Sequence, residues 1–244
     1  MIWASDVIAC LLAATRRRAV VGVAAFAIAC VSGWLLAQDS PGGTMVSPAT
    51  ITFTLDFPQS NPQHYSIAVD ARGDARYESK GKIAAESDDE NYDFEFQVSP
   101  GTREKVFEWA KQANYFAGKI DSGNRKLAFT GAKILSYEDG PRSSTARYNF
   151  SNLASVRQLT DLFQNMAATL EFGRRLAYFH RYQKLALDEE LKRMESQARD
   201  GALGEIQSVA PVLLEIAEDP SVINGVRARA RELIQRGSGP AAEH

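Results

Sequence analysis

Basic and aromatic side chains are concentrated at residues 174–182, which read RRLAYFHRY. Guanidinium groups and aromatic rings are enriched among the residues that dominate binding interfaces. The six candidate binding residues are Arg174, Arg175, Tyr178, Phe179, Arg181 and Tyr182. On a helix, the first, third and fifth of these share one face, and the other three share a second face. The run therefore predicts a surface for an anionic ligand, a lipid head group or a protein helix.

A structural role is the interpretation that we favour for the same run. Leu176 and Phe179 would pack inside the protein, and the arginines would pair with Glu171 or with the acidic residues 188–190. Both interpretations stay open at the level of the sequence.

Residues that could carry catalysis are sparse. The three histidines are His64, His180 and His244, and none has a second histidine at metal-binding spacing. The sequence has no HExxH, GxSxG, P-loop or dinucleotide-binding pattern. A dispersed serine–histidine–aspartate triad around His64 or His180 remains an alternative, because its members need not be close in sequence. We predict no catalytic residue, no cofactor and no metal site.

Two further groups of residues bear on metals and redox chemistry. Four of the five residues at 86–90 are acidic, and carboxylate oxygens are the ligands that calcium prefers. They lack the spacing and the glycine of an EF-hand loop, so we predict a solvated charged loop. Cys10 and Cys30 are the two cysteines. Both precede the part of the chain from residue 50 onward, here called the module, which therefore has no disulfide framework, thiol nucleophile or cysteine-ligated zinc.

The charge of the chain argues against nucleic-acid binding. Residues 16–18 supply three of the 28 basic residues, and Asp6 is the one acidic residue among the first 37. The rest of the chain therefore has a net charge of −4. Most nucleic-acid-binding domains derive their affinity from a basic surface, so we predict no nucleic-acid partner.

An apolar segment, AVVGVAAFAIACVSGWLLA, occupies residues 19–37 and contains no charge. At about 1.5 Å per residue, a helix of this length just spans a hydrocarbon core of about 30 Å. Because residues 16–18 are all arginine, the positive-inside rule places residues 1–18 in the cytoplasm and the module outside it. The pattern predicts a transmembrane helix that anchors the protein in the cell membrane by a single pass. A cleaved signal peptide, or a lipoprotein modified at Cys30, are the alternatives.

Residues 38–49 are rich in proline, glycine and serine, as is typical of a linker. Residues 50–150 then show strand patterns with one helix between them. We predict strands at residues 50–57, 65–70, 75–79, 91–98, 126–137 (broken near Gly131) and 144–150. Ser99 is a plausible N-cap of the helix, with Pro100 at its first position and Gly118 as a stop. This order predicts an antiparallel sheet with one packed helix, which is an α+β domain.

Residues 151–237 change to helical periodicity. We predict about four helices: residues 152–182 with Asn152 as a cap, then 187–199, 203–217 and 222–235. Asp219-Pro220 separates the last two, whose sequence resembles a single HEAT-type hairpin that caps the module. Residues 238–244 are expected to be a disordered tail.

Two segments, SPGTREKVFEWAKQANYFAGKIDSGNRKLAFTG and FGRRLAYFHRYQKLALDEELKRMESQA, resemble a group of uncharacterised bacterial membrane-anchored envelope proteins. The resemblance implies a domain type and assigns no functional residue. With the predicted anchor, it favours an extracytoplasmic binding or assembly module whose partner is an envelope protein or a glycan. The alternatives are a hydrolase-like envelope enzyme with a dispersed active site and a small-molecule sensor domain.

Overall fold

Six segments, along which more and less buried side chains alternate, form one antiparallel sheet. The computed structural model describes residues 48–84 and 86–238. The strands are β1 (Thr50–Asp56), β2 (His64–Asp70), β3 (Asp74–Lys82), β4 (Asp89–Gln97), β5 (Ala132–Asp139) and β6 (Arg142–Tyr148). Their spatial order is β4-β3-β2-β1-β5-β6, so the first strand lies near the centre. Phe53 of β1 pairs with Ile67 on one side and with Leu135 on the other. This register places the apolar side chains of neighbouring strands on one face.

Glycines in the left-handed region shape the ends of these strands. Gly73 has a φ of 95° between β2 and β3, as its predicted role in a tight hairpin requires. Gly131 has a φ of 99°, and a Cβ built on it would lie 2.8 Å from Leu55 Cδ1. Residues 126–131 are not part of a strand, so the prediction of a strand from residue 126 is wrong, and β5 begins at Ala132.

Helix α1 (Pro100–Gln112) begins as predicted. Ser99 is its N-cap, and the hydroxyl oxygen accepts a hydrogen bond from the Thr102 amide at 3.3 Å. The helix ends well before Gly118, the predicted stop. Three consecutive residues, Asn114–Phe116, follow in left-handed conformation with φ values of 50°, 52° and 65°. Such a turn is rare for residues with a Cβ, and no pattern in the sequence predicts it.

The long helix α2 (Ala154–Tyr182) packs on the same face of the sheet. Leu153 is its N-cap, so the prediction of Asn152 as the cap is wrong; the Ser151 hydroxyl accepts from the Leu153 amide at 3.2 Å. Phe163 stacks on Phe53 with ring centroids 5.4 Å apart. Burying one such side chain stabilises the fold by about 2–3 kcal/mol. The sheet and the helical region therefore share one core.

Three helices complete the described part of the chain. Helix α3 (Leu187–Arg199) has the predicted bounds. Helix α4 (Ala210–Glu218) begins later than predicted, because Ile206–Val209 forms a 3-10 turn. The Asp219-Pro220 break is confirmed, and α5 (Asn224–Ser238) packs on α4 as a hairpin. The predicted α+β class is confirmed for the described residues, with six antiparallel strands and five α-helices.

The remaining predictions on domain organisation fall on other residues. The N-terminal segment 1–18, the predicted transmembrane helix 19–37, most of the predicted linker 38–49 and the tail beyond residue 238 lie outside the described residues. Within residues 48–84 and 86–238, no helix is both long enough and apolar enough to cross a membrane.

Candidate functional site

The C-terminal turns of α2 carry all six predicted binding residues, and the fold divides them into two groups. Arg174 and Arg175 lie against the sheet and α3. Arg181 and Tyr182 are exposed, and Tyr178 and Phe179 are half-buried between these extremes. The residues that the helical pattern places on one face therefore do not share one environment.

Arg174 belongs to the interior. Its side chain is only 4% exposed, and its guanidinium lies over the ring of Tyr92, 5.2 Å from the ring centroid. Nη2 donates to the Gly81 carbonyl at 3.2 Å and lies 3.7 Å from a carboxylate oxygen of Glu90. Nη1 is buried and makes no hydrogen bond within the described residues, although Glu171 lies 3.8 Å away. The charge of Arg174 is thus compensated inside the protein.

Glu171 is the buried anion beside Arg174. One of its oxygens accepts hydrogen bonds from the Tyr77 hydroxyl and the Ser79 hydroxyl, each at 2.8 Å. Burial and this carboxylate raise the pKa of Tyr77 far above its ordinary value, and burial raises the pKa of Tyr92 to about 12. Both phenols therefore stay protonated, so Tyr77 remains a donor to Glu171. Together these residues form the Glu171 cluster: Tyr77, Ser79, Tyr92, Glu171 and Arg174.

Arg175 joins α2 to α3. Its Nε donates to Glu190 at 2.6 Å, and Arg193 contacts the other oxygen of the same carboxylate. The side chain of Glu190 is completely buried, so its charge depends on these two arginines. The Arg175 guanidinium also lies over the Phe172 ring, 4.7 Å from the centroid. Arg174 and Arg175 therefore make the contacts that the structural interpretation of this run predicts.

Arg181 and Tyr182 have a different environment. Tyr182 is 62% exposed, its ring lies 5.1 Å from that of Tyr178, and the Arg181 guanidinium lies 5.3 Å from the Tyr182 ring centroid. Two further apolar residues are exposed at this end of the helical region: Leu185 at 97% and Ile223 at 68%. We call Arg181, Tyr182, Leu185 and Ile223 the helix-end patch.

Sequence reasoning missed Leu185 and Ile223. Leu185 lies in the short 3-10 turn Lys184–Ala186 between α2 and α3, and Ile223 precedes α5. Their position in the sequence could have indicated exposure. Each lies in a break between two helices, so helical periodicity does not predict that it packs in the core. The predicted last helix, residues 222–235, includes Ile223 at an unremarkable position, but α5 begins at Asn224.

Asp219 joins the two loops that carry Leu185 and Ile223. Its carboxylate accepts hydrogen bonds from His180 Nε2 at 2.9 Å, Lys184 Nζ at 2.6 Å, and the hydroxyl and amide of Ser221 at 2.7 and 2.8 Å. These bonds, led by that of Lys184, hold the pKa of Asp219 well below its ordinary value. The loop before α3 and the loop before α5 are thus fixed to each other, which keeps Leu185 and Ile223 at one end of the protein.

Both histidines within the described residues lie beside a carboxylate. His64 Nδ1 is 2.5 Å from Asp56 Oδ1, and His180 bonds Asp219. In a serine hydrolase the histidine must accept the proton of the nucleophilic hydroxyl. The Ser221 hydroxyl instead donates to Asp219 and accepts from Lys184 at 2.5 Å. This arrangement is that of a loop-stabilising cluster.

The acidic segment at residues 86–90 has partners within the protein. Asp89 and Glu90 belong to β4 rather than to a loop. Asp89 accepts a hydrogen bond from the Gln63 side chain at 2.6 Å, and Glu90 faces Arg174. Among the residues that the structure describes, no group of three or more histidines, cysteines or acidic residues is arranged to hold a metal ion.

An open groove of about 870 Å³ runs beside the predicted run. Arg175, Phe179 and Arg193 line one side of it, and Lys82 lines the strand side. The groove places cationic groups near the exposed end of α2, but Arg175 and Arg193 both already bind Glu190. The groove therefore has fewer arginines available to bind an anionic ligand than its lining residues indicate.

Comparison of the whole sequence with protein-family models and with curated proteins produced no match. The resemblance to bacterial envelope proteins therefore stays a prediction.

Proposed function

We propose that the protein is a membrane-anchored, extracytoplasmic binding module that docks an envelope protein through the helix-end patch. The observation that carries the proposal is the exposure of Leu185, whose side chain is 97% accessible on a segment fixed by the Lys184–Asp219 bond. Exposing an aliphatic side chain to water costs free energy, and burying it against a partner would recover that free energy.

The chemistry of the patch favours a protein over a glycan. Leu185 and Ile223 are aliphatic, and they fit an apolar groove better than the hydroxyl-rich face of a sugar. Tyr182 and Arg181 are residue types that dominate protein interfaces when a partner covers them. We expect the partner to present an apolar groove with a carboxylate for Arg181.

The predicted anchor at residues 19–37 supports an address in the cell membrane, with the N-terminus in the cytoplasm and the module outside. Intact mass of the protein recovered from alkali-washed bacterial membranes tests it. A full-length, lipid-free mass supports the anchor. A soluble species beginning near residue 38 would make the segment a signal peptide, and a lipid-modified form beginning at Cys30 would make the protein a lipoprotein.

Site-specific photocrosslinking tests the docking surface in the same membranes. A photoreactive benzophenone side chain is placed at position 185 or 223 of the full-length protein, and at position 129 as a control. Phe129 is a suitable control because it is 60% exposed and apolar but lies before β5, outside the patch. We expect one discrete protein adduct from positions 185 and 223, its loss on Arg181→Glu, and no such adduct from position 129.

Two other results would overturn the docking proposal. Adducts to phospholipid at position 185 would identify the patch as a membrane-contact surface. The same set of adducts from positions 185 and 129 would show unspecific contact.

The envelope hydrolase remains the second candidate, because His180 bonds one oxygen of Asp219 and Ser221 bonds the other. A fluorophosphonate reagent that labels Ser221 in the native protein, but not in His180→Ala, would favour it. Because the Ser221 hydroxyl donates to Asp219, we expect no labelling.

A further inference from the structure

The two edges of the sheet carry opposite charges. Strand β4, at one edge, reads DENYDFEFQ and has four acidic residues and no basic one. Strand β6, at the other edge, reads RSSTARY and has two arginines and no acidic residue. Within the described residues, β4 pairs only with β3, and β6 only with β5. Each edge therefore presents unpaired backbone donors and acceptors.

The direction of the strands makes these edges compatible with each other. Every neighbouring pair in the sheet is antiparallel, and the number of strands is even. Strands β4 and β6 therefore run in opposite directions. A second copy displaced sideways along the sheet would place its β4 beside β6 of the first copy in antiparallel orientation. The helix-covered faces of both copies would lie on the same side.

The side chains along the two edges also match. Tyr92, Phe94 and Phe96 form a stacked row on the inner face of β4, with neighbouring ring centroids 6.1 Å apart, and all three are only half-buried. Ala146 and Tyr148 occupy the same face of β6. If Arg147 lies opposite Asp93, this register sets Tyr148 against Tyr92 and Ala146 against Phe94. The aromatic row would then gain an apolar neighbour.

The excess of acidic residues on β4 and of arginines on β6 favours contact between unlike edges. Asp93 binds Arg76 of its own sheet, Glu95 lies opposite the same arginine, and Glu90 lies near Arg174, so two arginines face three of the four carboxylates of β4. Arg147 of β6 is exposed. Pairing β4 with β4 would set carboxylates against carboxylates, which disfavours a symmetric dimer. Pairing β4 with β6 sets arginine against carboxylate.

We infer that the protein self-associates head to tail by antiparallel pairing of β4 in one copy with β6 in the next. Such a heterologous contact leaves one free edge of each kind and produces a ring or an open chain of subunits. The inference uses neither the helix-end patch nor its partner, so it stands independently of the proposed docking function.

Cysteine crosslinking between two differently tagged full-length copies tests this contact. In a Cys10→Ala, Cys30→Ala background, one copy carries Gln97→Cys on β4 and the other carries Ser143→Cys on β6. Both positions are exposed and uncharged, and the register above sets them opposite each other at a distance that a disulfide bridges. A short bis-maleimide reagent captures neighbouring registers. We expect crosslinks between unlike copies and almost none when only one of the two variants is present.

Charge reversal separates edge pairing from crowding in the membrane. Arg147→Glu on the β6 copy should lower the crosslinked fraction several-fold, because its attractive cross-strand pair with Asp93 becomes repulsive. Asp93→Lys on the β4 copy should restore it. Equal crosslinking in the mixed and single-variant samples, no crosslinking in the mixed sample, or no response to either reversal would overturn the inference. The photocrosslink at position 185 should persist in all these variants.

Discussion

The two ends of the basic and aromatic run at residues 174–182 of α2 have different environments. Arg174 and Arg175 are enclosed by carboxylates from the sheet, from α2 itself and from α3. Arg181 and Tyr182, two turns later, face solvent beside Leu185 and Ile223. Residue type and spacing alone therefore do not distinguish an arginine that stabilises the fold from one that is available for binding. What packs against each turn of the helix decides its role.

The largest effect should come from reversing the charge at the enclosed end. Arg175→Glu places a carboxylate against Glu190, whose side chain is completely buried. Breaking a buried ion pair in this way typically costs about 3–5 kcal/mol. Urea denaturation of the full-length protein, followed by circular dichroism, should show this loss. Arg181→Glu is the matched control, and a similar loss in both variants would erase the distinction between the two ends.

Removing one hydrogen bond from the Glu171 cluster should have an intermediate effect. Tyr77→Phe leaves the aromatic packing but removes a donor from a buried carboxylate. The expected loss in the free energy of unfolding is about 1–3 kcal/mol. The same denaturation measurement checks it, with Tyr182→Phe as the control because that ring is exposed. An unchanged midpoint for Tyr77→Phe would show that Glu171 does not depend on this donor.

The exposed end should be distinguished by its response to acid. Because the folded protein lowers the pKa of Asp219, this carboxylate stabilises the fold fully above its ordinary pKa of about 3.9. The stabilisation is lost as the pH falls below that value. Asp219→Asn should therefore lower the melting temperature near neutral pH and reduce the difference from the native protein as the pH approaches 2. A constant difference between the two proteins from pH 7 to pH 2 would show that Asp219 acts by some other means.

Several features of the fold could be predicted from the sequence because they are local. The alternation of β1, the Ser99 cap and the bounds of α3 each depend on residues that are neighbours in the chain. The failures have non-local causes. Gly131 has a left-handed φ and lies against Leu55 of another strand, and the left-handed turn after α1 includes Phe116, which packs in the core and is 1% exposed.

The candidate site was predictable only in part for the same reason. Helical periodicity correctly groups Arg174 with Arg181 by direction, but it contains no information on which turn lies against β3. Leu185 and Ile223 lie on two connecting loops that Asp219 bonds to each other, and that contact joins residues distant in sequence.

The smallest expected effect on stability belongs to the residue with the largest expected effect on binding. Arg181→Glu changes an exposed side chain, so the free energy of unfolding should stay within about 0.5 kcal/mol of the native value. The decisive measurement combines this variant with the photoreactive side chain at position 185, and records unfolding and crosslinking in the same preparation. We expect native stability and loss of the protein adduct. Native stability with an undiminished adduct would contradict the assignment of the exposed end as the binding surface.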